Sequence, residues 1–203
     1  KDGLVYTFML KDKIYFQDGK SVTADDIIFT INEIKDPVIK SPRKVDFDGV
    51  TATKINDKTI KFSLKKPYPS FLENLTLGIM PKSLWDNSAL ELNSANISPI
   101  GSGPYFIKSI AKESSGIINS YELESFKKFI LGEPYIKRVG LYFYSNEDDM
   151  VRALEDGSVD QISSITPLNA DILKERNYQI ESSALPRVFG LFFNLIKNLL
   201  FTD

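Results

Sequence analysis

The chain has 203 residues, and its 25 Lys and Arg residues nearly balance its 27 Asp and Glu residues, which argues against a nucleic-acid-binding protein. Hydrophobic residues make up 42% and charged residues 26% of the sequence, a composition that excludes a disordered or collagen-like chain. The absence of Cys and His excludes disulfides, the usual zinc ligands and Cys or Ser-His-Asp nucleophiles, and it makes an enzyme a weaker expectation.

The first half of the chain shows short strand and helix patterns with clear turn signals between them. These patterns predict, in order, a strand over residues 6–10, a turn at Asp18-Gly19, a helix capped by Thr23 and ended by Asp36-Pro37, a hairpin over residues 51–55 and 59–64, and short helices over residues 71–75 and 81–85. The stretch over residues 86–99 is rich in Asn, Ser and Ala, so we expect a boundary between two subdomains there.

The second half alternates strand and helix patterns, which indicates α/β layering. The predicted elements are a strand over residues 105–110 pairing with residues 121–123, a strand with Val139, Leu141 and Phe143 on one face, a helix from Asn146 to Gly157, a strand over residues 159–162, a helix from Pro167, and strands over residues 178–183 and 188–194.

Paired carboxylates at residues 25–26 and 148–149 are candidates for acid–base chemistry. Sequence neighbours do not face each other on a helix, and both pairs fall in a predicted first turn, so capping is the favoured interpretation. The glycines around Ser102 precede Pro104 and a strand, which favours a turn over a phosphate-binding loop. Residues 142–144 are aromatic, and without a basic groove they are expected to be sheet residues and not a base-stacking platform.

Ser-x-x-Lys is a nucleophile pattern of penicillin-binding enzymes. It occurs at Ser41/Lys44, Ser63/Lys66, Ser109/Lys112 and Ser125/Lys128. The accompanying Lys-Thr-Gly and Ser-Asp-Asn motifs are absent from the sequence, so chance is the favoured explanation. A Ser-Lys acyl-transfer enzyme remains an alternative, and it predicts covalent labelling of one serine.

A series of motifs in the right order resembles family 5 extracellular solute-binding proteins of ABC importers, the oligopeptide-, dipeptide- and nickel-binding type. The blocks that carry the resemblance lie at residues 6–10, 16–19, 22–27, 57–64, 67–72, 79–85, 99–105, 131–136 and 153–160. One departure is the stretch over residues 124–129, which stands where the family usually has an Asn-Pro-x-Tyr-Trp motif.

The resemblance implies an α/β fold of the type II periplasmic-binding-protein kind, with mixed sheets and flanking helices. Family members form two lobes that close over a solute, and they are more than twice as long as this chain. By comparison, residues 1–98 would be the accessory subdomain of lobe one, residues 99–194 part of its core subdomain, and residues 195–203 the start of the hinge and lobe two. We therefore expect a lobe-one fragment in which the second lobe is missing.

The implied function is capture of peptides or similar small solutes for an ABC transporter, without catalysis, cofactor or metal. The implied partners are the solute and the permease subunits, with no nucleic acid and with membrane contact only through a lipid anchor of the parent protein. The resemblance also implies a location in the periplasm or outside the cell, on the outer side of the membrane. The sequence itself has no initiator Met, signal-peptide pattern or long apolar run, so we expect a mature or excised piece. A sensor or adaptor derived from the same family is the other alternative.

In the family, three segments of lobe one line the cleft, and they correspond here to residues 41–43, 78–80 and 186–194. The resemblance implies that Arg43 binds an anionic or carbonyl group of the solute and that Arg187 and Asn194 make polar contacts near the hinge. It also implies that Met80 and Phe189 are adaptable apolar walls. Surface charge or core packing is the alternative for each of these residues.

Overall fold

The computed structural model describes residues 3–85 and 90–183. The chain divides into two compact units, Lys1–Phe143 and Tyr144–Asp203, which are described separately. The predicted strands over residues 188–194 and the expected hinge segment over residues 195–203 lie outside the described residues. Among the described residues, no helix is long and apolar enough to cross a membrane.

The first sheet of the first unit is antiparallel, with strand order β1-β3-β2, and three helices accompany it. These elements are β1 (Val5–Met9), α1 (Ala24–Lys35), β2 (Val50–Asn56), β3 (Thr59–Leu64), α2 (Phe71–Asn74) and α3 (Lys82–Trp85). Short 3₁₀ turns follow at Lys44–Phe47, Leu90–Leu92 and Ser94–Asn96. The predicted strand, helix, hairpin and short helices of the first half are therefore confirmed to within a few residues.

The main core of this unit lies between β3 and α1. Alternate residues of the central strand β3 are buried, as the period-two pattern predicts, and they meet α1, β2 and the residues around α2. The buried residues of this core are Ala24, Ile31, Phe47, Val50, Ile60, Phe62, Leu64 and Phe71. The Phe62 and Phe71 rings meet edge to face at 5.5 Å, which ties α2 to the sheet.

The second sheet is also antiparallel, with strand order β4-β5-β6. Its strands are β4 (Tyr105–Lys112), β5 (Ile118–Ser125) and β6 (Arg138–Tyr142). The predicted pairing is confirmed, with a shorter connecting loop than residues 112–120, because Ile118 already pairs with Lys112. Phe143 lies one residue beyond β6, although its backbone N–H still donates to Asn119 O at 2.8 Å.

The second unit contains α4 (Glu147–Glu155) and α5 (Pro167–Glu175) in its described part. Asn146 caps α4, and Gly157 adopts a φ of 77° directly after the Asp156 C-cap, as predicted. The Ser158 and Gly157 amides donate to the Ala153 and Leu154 carbonyls, which completes a Schellman motif.

Two strand predictions are wrong. Residues 159–162 and 178–183 are extended or bent segments without strand structure. A strand requires a partner for its backbone groups, and no strand in the described part of the chain pairs with either segment. The local apolar pattern could not indicate that a pairing partner is absent.

Candidate functional site

Arg43 stands at the start of the 3₁₀ turn Lys44–Phe47, whose last residue is fully buried in the core. Its Nε donates to Asp46 Oδ2 at 2.5 Å, and its Nη2 donates to the backbone carbonyl of Asn74, the last residue of α2, at 3.3 Å. The side chain is 43% exposed, so part of the guanidinium edge faces solvent. The structure thus presents a fixed, half-exposed cation whose charge is partly offset by a neighbouring carboxylate.

Met80 lies in an irregular segment between α2 and α3. Its side chain is half-buried against a small cluster formed by Phe29, Trp85 and Ala95. Gly78, two residues earlier, is exposed and has open space where a side chain would begin. The apolar character predicted for Met80 is consistent with this packing, which leaves part of the thioether side chain accessible.

The segment around Met80 is held by polar side chains of α1. Thr30 Oγ1 accepts the Met80 N–H at 2.9 Å, and Asp26 Oδ1 accepts the Lys82 N–H at 2.8 Å. Asp26 Oδ2 also accepts from the backbone N–H and the hydroxyl of Thr23, both at 2.9 Å. The favoured capping interpretation of Asp26 is therefore confirmed, but the sequence pattern did not indicate its long-range bond to Lys82.

Among the described contacts, none joins Arg43 directly to Met80, although both belong to the first unit. The other three candidate site residues, Arg187, Phe189 and Asn194, lie outside the described residues. The residues that sequence reasoning missed are Asp26 and Thr30, which hold one of the predicted segments. The available signal was their spacing of one helical turn, with both polar side chains on the buried side of an amphipathic helix.

Gln17, in the motif block at residues 16–19, joins this turn to the second sheet. Its Oε1 accepts the Gly101 N–H at 3.0 Å, and its Nε2 donates to Tyr105 O at 2.7 Å and to Gly103 O at 3.3 Å. The backbone N–H of Gln17 also donates to Gly101 O at 2.9 Å. The glycine-rich stretch is therefore a turn that leads into β4, as predicted. Gln17 forms hydrogen bonds with several backbone groups of this turn.

An open groove of about 350 Å³ lies beside this turn. It is lined by Gln17, Asp18, Phe106, Glu124, Phe126 and Lys128, among others. Three of its charged groups have partners: Asp18 pairs with Lys20 at 3.4 Å, Glu124 pairs with Lys108, and the Lys128 ammonium lies 5.3 Å from the Tyr15 ring centroid. Lys127 adds a fourth charged side chain to the lining of this open groove.

The Ser125/Lys128 pair shows no nucleophile geometry. The Ser125 hydroxyl donates to Glu133 Oε1 at 2.9 Å, whereas the Lys128 ammonium lies over Tyr15. Activation of a serine requires a base within hydrogen-bond reach of its hydroxyl. The observed bonds direct the two side chains to different partners.

Several of the shifted pKa values belong to groups in surface ion pairs. Hydrogen bonds from Lys54 hold the pKa of Asp57 below its ordinary value, and the hydrogen bond to Asp25 raises the pKa of Lys54 itself. The hydrogen bond from Lys108 likewise lowers the pKa of Glu124. Surface ion pairs shift pKa values in these directions. A general acid is favoured instead by a carboxyl group whose pKa is raised. No cluster of three potential metal ligands occurs among the described residues.

The first unit thus combines two antiparallel sheets with short helices and an irregular segment that α1 anchors. The family model of bacterial extracellular solute-binding proteins, family 5 (middle), matches residues 1–202. The chain belongs to this family, whose members are binding proteins. The expected fold class, an α/β lobe of the periplasmic-binding-protein kind, is confirmed.

Characterised relatives include the oligopeptide-binding protein AppA of Bacillus subtilis, 30% identical over 77% of this chain and 29% of that protein. The nickel-binding protein NikA of Staphylococcus aureus is 28% identical over 91% of this chain and 35% of its own length. The glutathione-binding protein GsiB of Escherichia coli O6:K15:H31 is 25% identical over 96% of this chain and 37% of its own length. The chain therefore spans about a third of each of these proteins.

Solved structures agree in fold. The substrate-binding protein CtaP of Listeria monocytogenes superposes with a TM-score of 0.72 at 32% identity, covering 86% of this chain and 36% of that one. NikZ of Campylobacter jejuni, solved with Ni(L-His), superposes with a TM-score of 0.70 at 32% identity, covering 78% of this chain and 31% of that one.

Proposed function

We propose that this chain is part of the extracellular solute-binding component of an ABC importer and that it supplies one wall of the solute site. The observation that carries the proposal is the family match over residues 1–202. The described site supports it, because it offers a fixed half-exposed cation and an adaptable apolar side chain without groups arranged for catalysis.

The proposed solute is a short peptide or a compound with peptide-like polar groups. Relatives are named for oligopeptides, nickel and glutathione, and two of these ligand classes are peptides. Asp46 already neutralises much of the Arg43 charge, so the open guanidinium edge favours a carbonyl oxygen over a second carboxylate. Peptide main chains present such carbonyls regardless of side chain, which fits broad specificity.

The proposed solute-facing residues are Arg43 and Met80, together with Arg187, Phe189 and Asn194. Arg43 would donate to a solute carbonyl, and Met80 would provide a flexible apolar wall that fits varied side chains. Arg187 and Asn194 would contribute polar contacts near the hinge, and Phe189 a second apolar wall. Residues beyond this chain would supply the opposite wall, and ligand contacts to both sides would drive closure.

The proposed partners are the permease subunits of the importer, which would receive the closed, loaded form. The proposed location is the periplasm or the outer face of the cell membrane, where a lipid anchor of the parent protein would retain it.

Calorimetric titration of the complete protein with dipeptides to pentapeptides tests the proposed function. We expect saturable binding, and we expect Arg43→Ala to weaken the affinity by about tenfold, the size of one lost charge-assisted hydrogen bond. The matched control is Arg138→Ala, which removes an exposed arginine from β6 and should leave the affinity unchanged. Absence of binding heat with every peptide, in a protein that unfolds cooperatively, contradicts the proposal.

A further inference from the structure

Two side chains of α1 accept hydrogen bonds from the backbone of the segment that contains Met80. Thr30 Oγ1 accepts the Met80 N–H and Asp26 Oδ1 accepts the Lys82 N–H, so the two amides on either side of Pro81 are both bound to one helix. Pro81 itself is fully buried. Asp26 and Thr30 are four residues apart and share a helix face. We call the group formed by Asp26, Thr30, Met80, Pro81 and Lys82 the α1 clasp.

The two α1 side chains of the clasp are buried, and their polar atoms have hydrogen-bond partners. The exposed fraction is 8% for Asp26 and 2% for Thr30. The Thr30 hydroxyl donates to Asp26 O at 2.8 Å while it accepts from Met80, so both of its roles are used. Because buried polar groups without partners are costly, removing one acceptor would release the amide it holds.

Apart from these hydrogen bonds, apolar packing of Leu77 and Met80 and the burial of Pro81 hold this segment. The residues between α2 and α3 form no helix or strand, and Gly78 is exposed with open space around its Cα. Met80 is a flexible side chain, so the position of its thioether depends on where its backbone is held.

We propose that Asp26 and Thr30 are positioning residues for the solute site: through the clasp they fix the backbone at residues 78–80 and so place Met80 at the wall. This inference rests on the proposed function, in which Met80 faces the solute. It assigns to α1 a role that its sequence pattern, an ordinary amphipathic helix with an N-terminal capping box, does not reveal.

The test compares Thr30→Val with Thr30→Ser in the complete protein. Valine keeps the shape of the side chain and removes the acceptor, whereas serine keeps the hydroxyl. We expect Thr30→Val to accelerate hydrogen exchange of the Met80 amide by about tenfold or more and to weaken binding of the tightest peptide from the dipeptide-to-pentapeptide screen by about tenfold. Thr30→Ser should restore exchange and affinity to within about threefold of the unsubstituted protein.

Thr53→Val on the exposed side of β2 is the matched control and should change neither readout. Unchanged exchange at Met80 in Thr30→Val overturns the clasp. Accelerated exchange with unchanged peptide affinity overturns the positioning role, while the proposed function stands. If the unsubstituted protein binds no peptide, the proposed function fails, and the positioning role is overturned with it.

Discussion

Two polar side chains, the buried Asp26 and the half-buried Gln17, join distant parts of the first unit. Asp26 links the start of α1 to the start of α3, and Gln17 links the first turn to the strand β4. Neither bond is visible from sequence spacing, because the partners are separated by 56 residues for Asp26 and Lys82 and by 88 for Gln17 and Tyr105. A donor or acceptor that is buried away from water cannot bond to water instead. At this scale the fold therefore depends on individual hydrogen bonds.

Asp26 and Asp25 are neighbours with different roles, and they make a matched pair. Asp26→Ala removes an acceptor from the Thr23 amide and hydroxyl and from the Lys82 amide, so we expect a loss of about 2–3 kcal/mol in the free energy of unfolding. Asp25 is half-exposed and its carboxylate pairs with Lys54, so Asp25→Ala should cost less than about 1 kcal/mol. Urea denaturation of the two variants measures the difference, and equal losses would contradict the role given to Asp26.

The hydrogen bonds of the Gln17 side chain lead to a second prediction about a single residue. Gln17→Ala removes a side chain that bonds Gly101, Gly103 and Tyr105, and we expect a loss of about 1–3 kcal/mol with faster amide exchange at Gly101. Gln179→Ala is the control, because that exposed amide bonds only locally, to Glu181. Unchanged amide exchange at Gly101 would contradict this prediction, because it would show that the turn is stable without the Gln17 side chain.

At the scale of elements, the helices and paired strands follow closely from local pattern. The β3 alternation, the Thr23 cap and the Asn146-to-Gly157 helix each have a local cause, namely period-two burial, side-chain capping and a left-handed glycine. The predicted strands over residues 159–162 and 178–183 failed because a strand depends on a partner elsewhere in the chain. The site segments at residues 41–43 and 78–80 came from family resemblance, and their anchoring partners came only from the structure.

Helix α2 is short, so few of its side chains can pack against the core. We therefore expect its stability to depend on its one buried residue, Phe71. Phe71 is fully buried against Phe62 and Tyr6, whereas the adjacent Leu72 is about half exposed. We expect Phe71→Ala to destabilise the protein by about 3–5 kcal/mol and Leu72→Ala by less than about 1 kcal/mol. Thermal or urea unfolding measures both variants, and a similar loss in the two would place α2 outside the core.

Helices α4 and α5 are tied together at their starts by Glu147, whose carboxylate accepts from the Thr166 amide at 2.6 Å and from its hydroxyl at 3.0 Å. Hydrogen bonds from the Asn169 side chain and then from Thr166 hold the pKa of Glu147 below its ordinary value of 4.5. A lowered pKa means that the tie is fully present above pH 4.5 and is lost as the pH falls through the lower, folded value.

Amide exchange at Thr166, followed by NMR between pH 6 and about pH 3 and corrected for the intrinsic pH dependence, measures this loss of the Glu147 tie. We expect protection to fall below pH 4.5 in the unsubstituted protein. In Glu147→Gln the protection should be lower throughout and should lack this step. A step that persists in the glutamine variant would assign the titration to another group.

At the scale of the whole molecule, this chain spans about a third of its relatives. Arg43 and Met80 are both partly accessible, and in the proposed function they would belong to one wall, which makes only part of the contacts that bind a small solute tightly. The central claim is therefore that solute binding needs both this chain and the remaining part of a longer protein.

Calorimetric titration of peptides into the complete protein, and separately into the 203-residue chain, tests that claim most directly. The account predicts saturable binding by the complete protein and binding at least about a hundredfold weaker by the chain alone, because one wall lacks the opposing contacts. Equal affinity in the two samples, or a complete and folded protein that takes up no peptide at all, would contradict it.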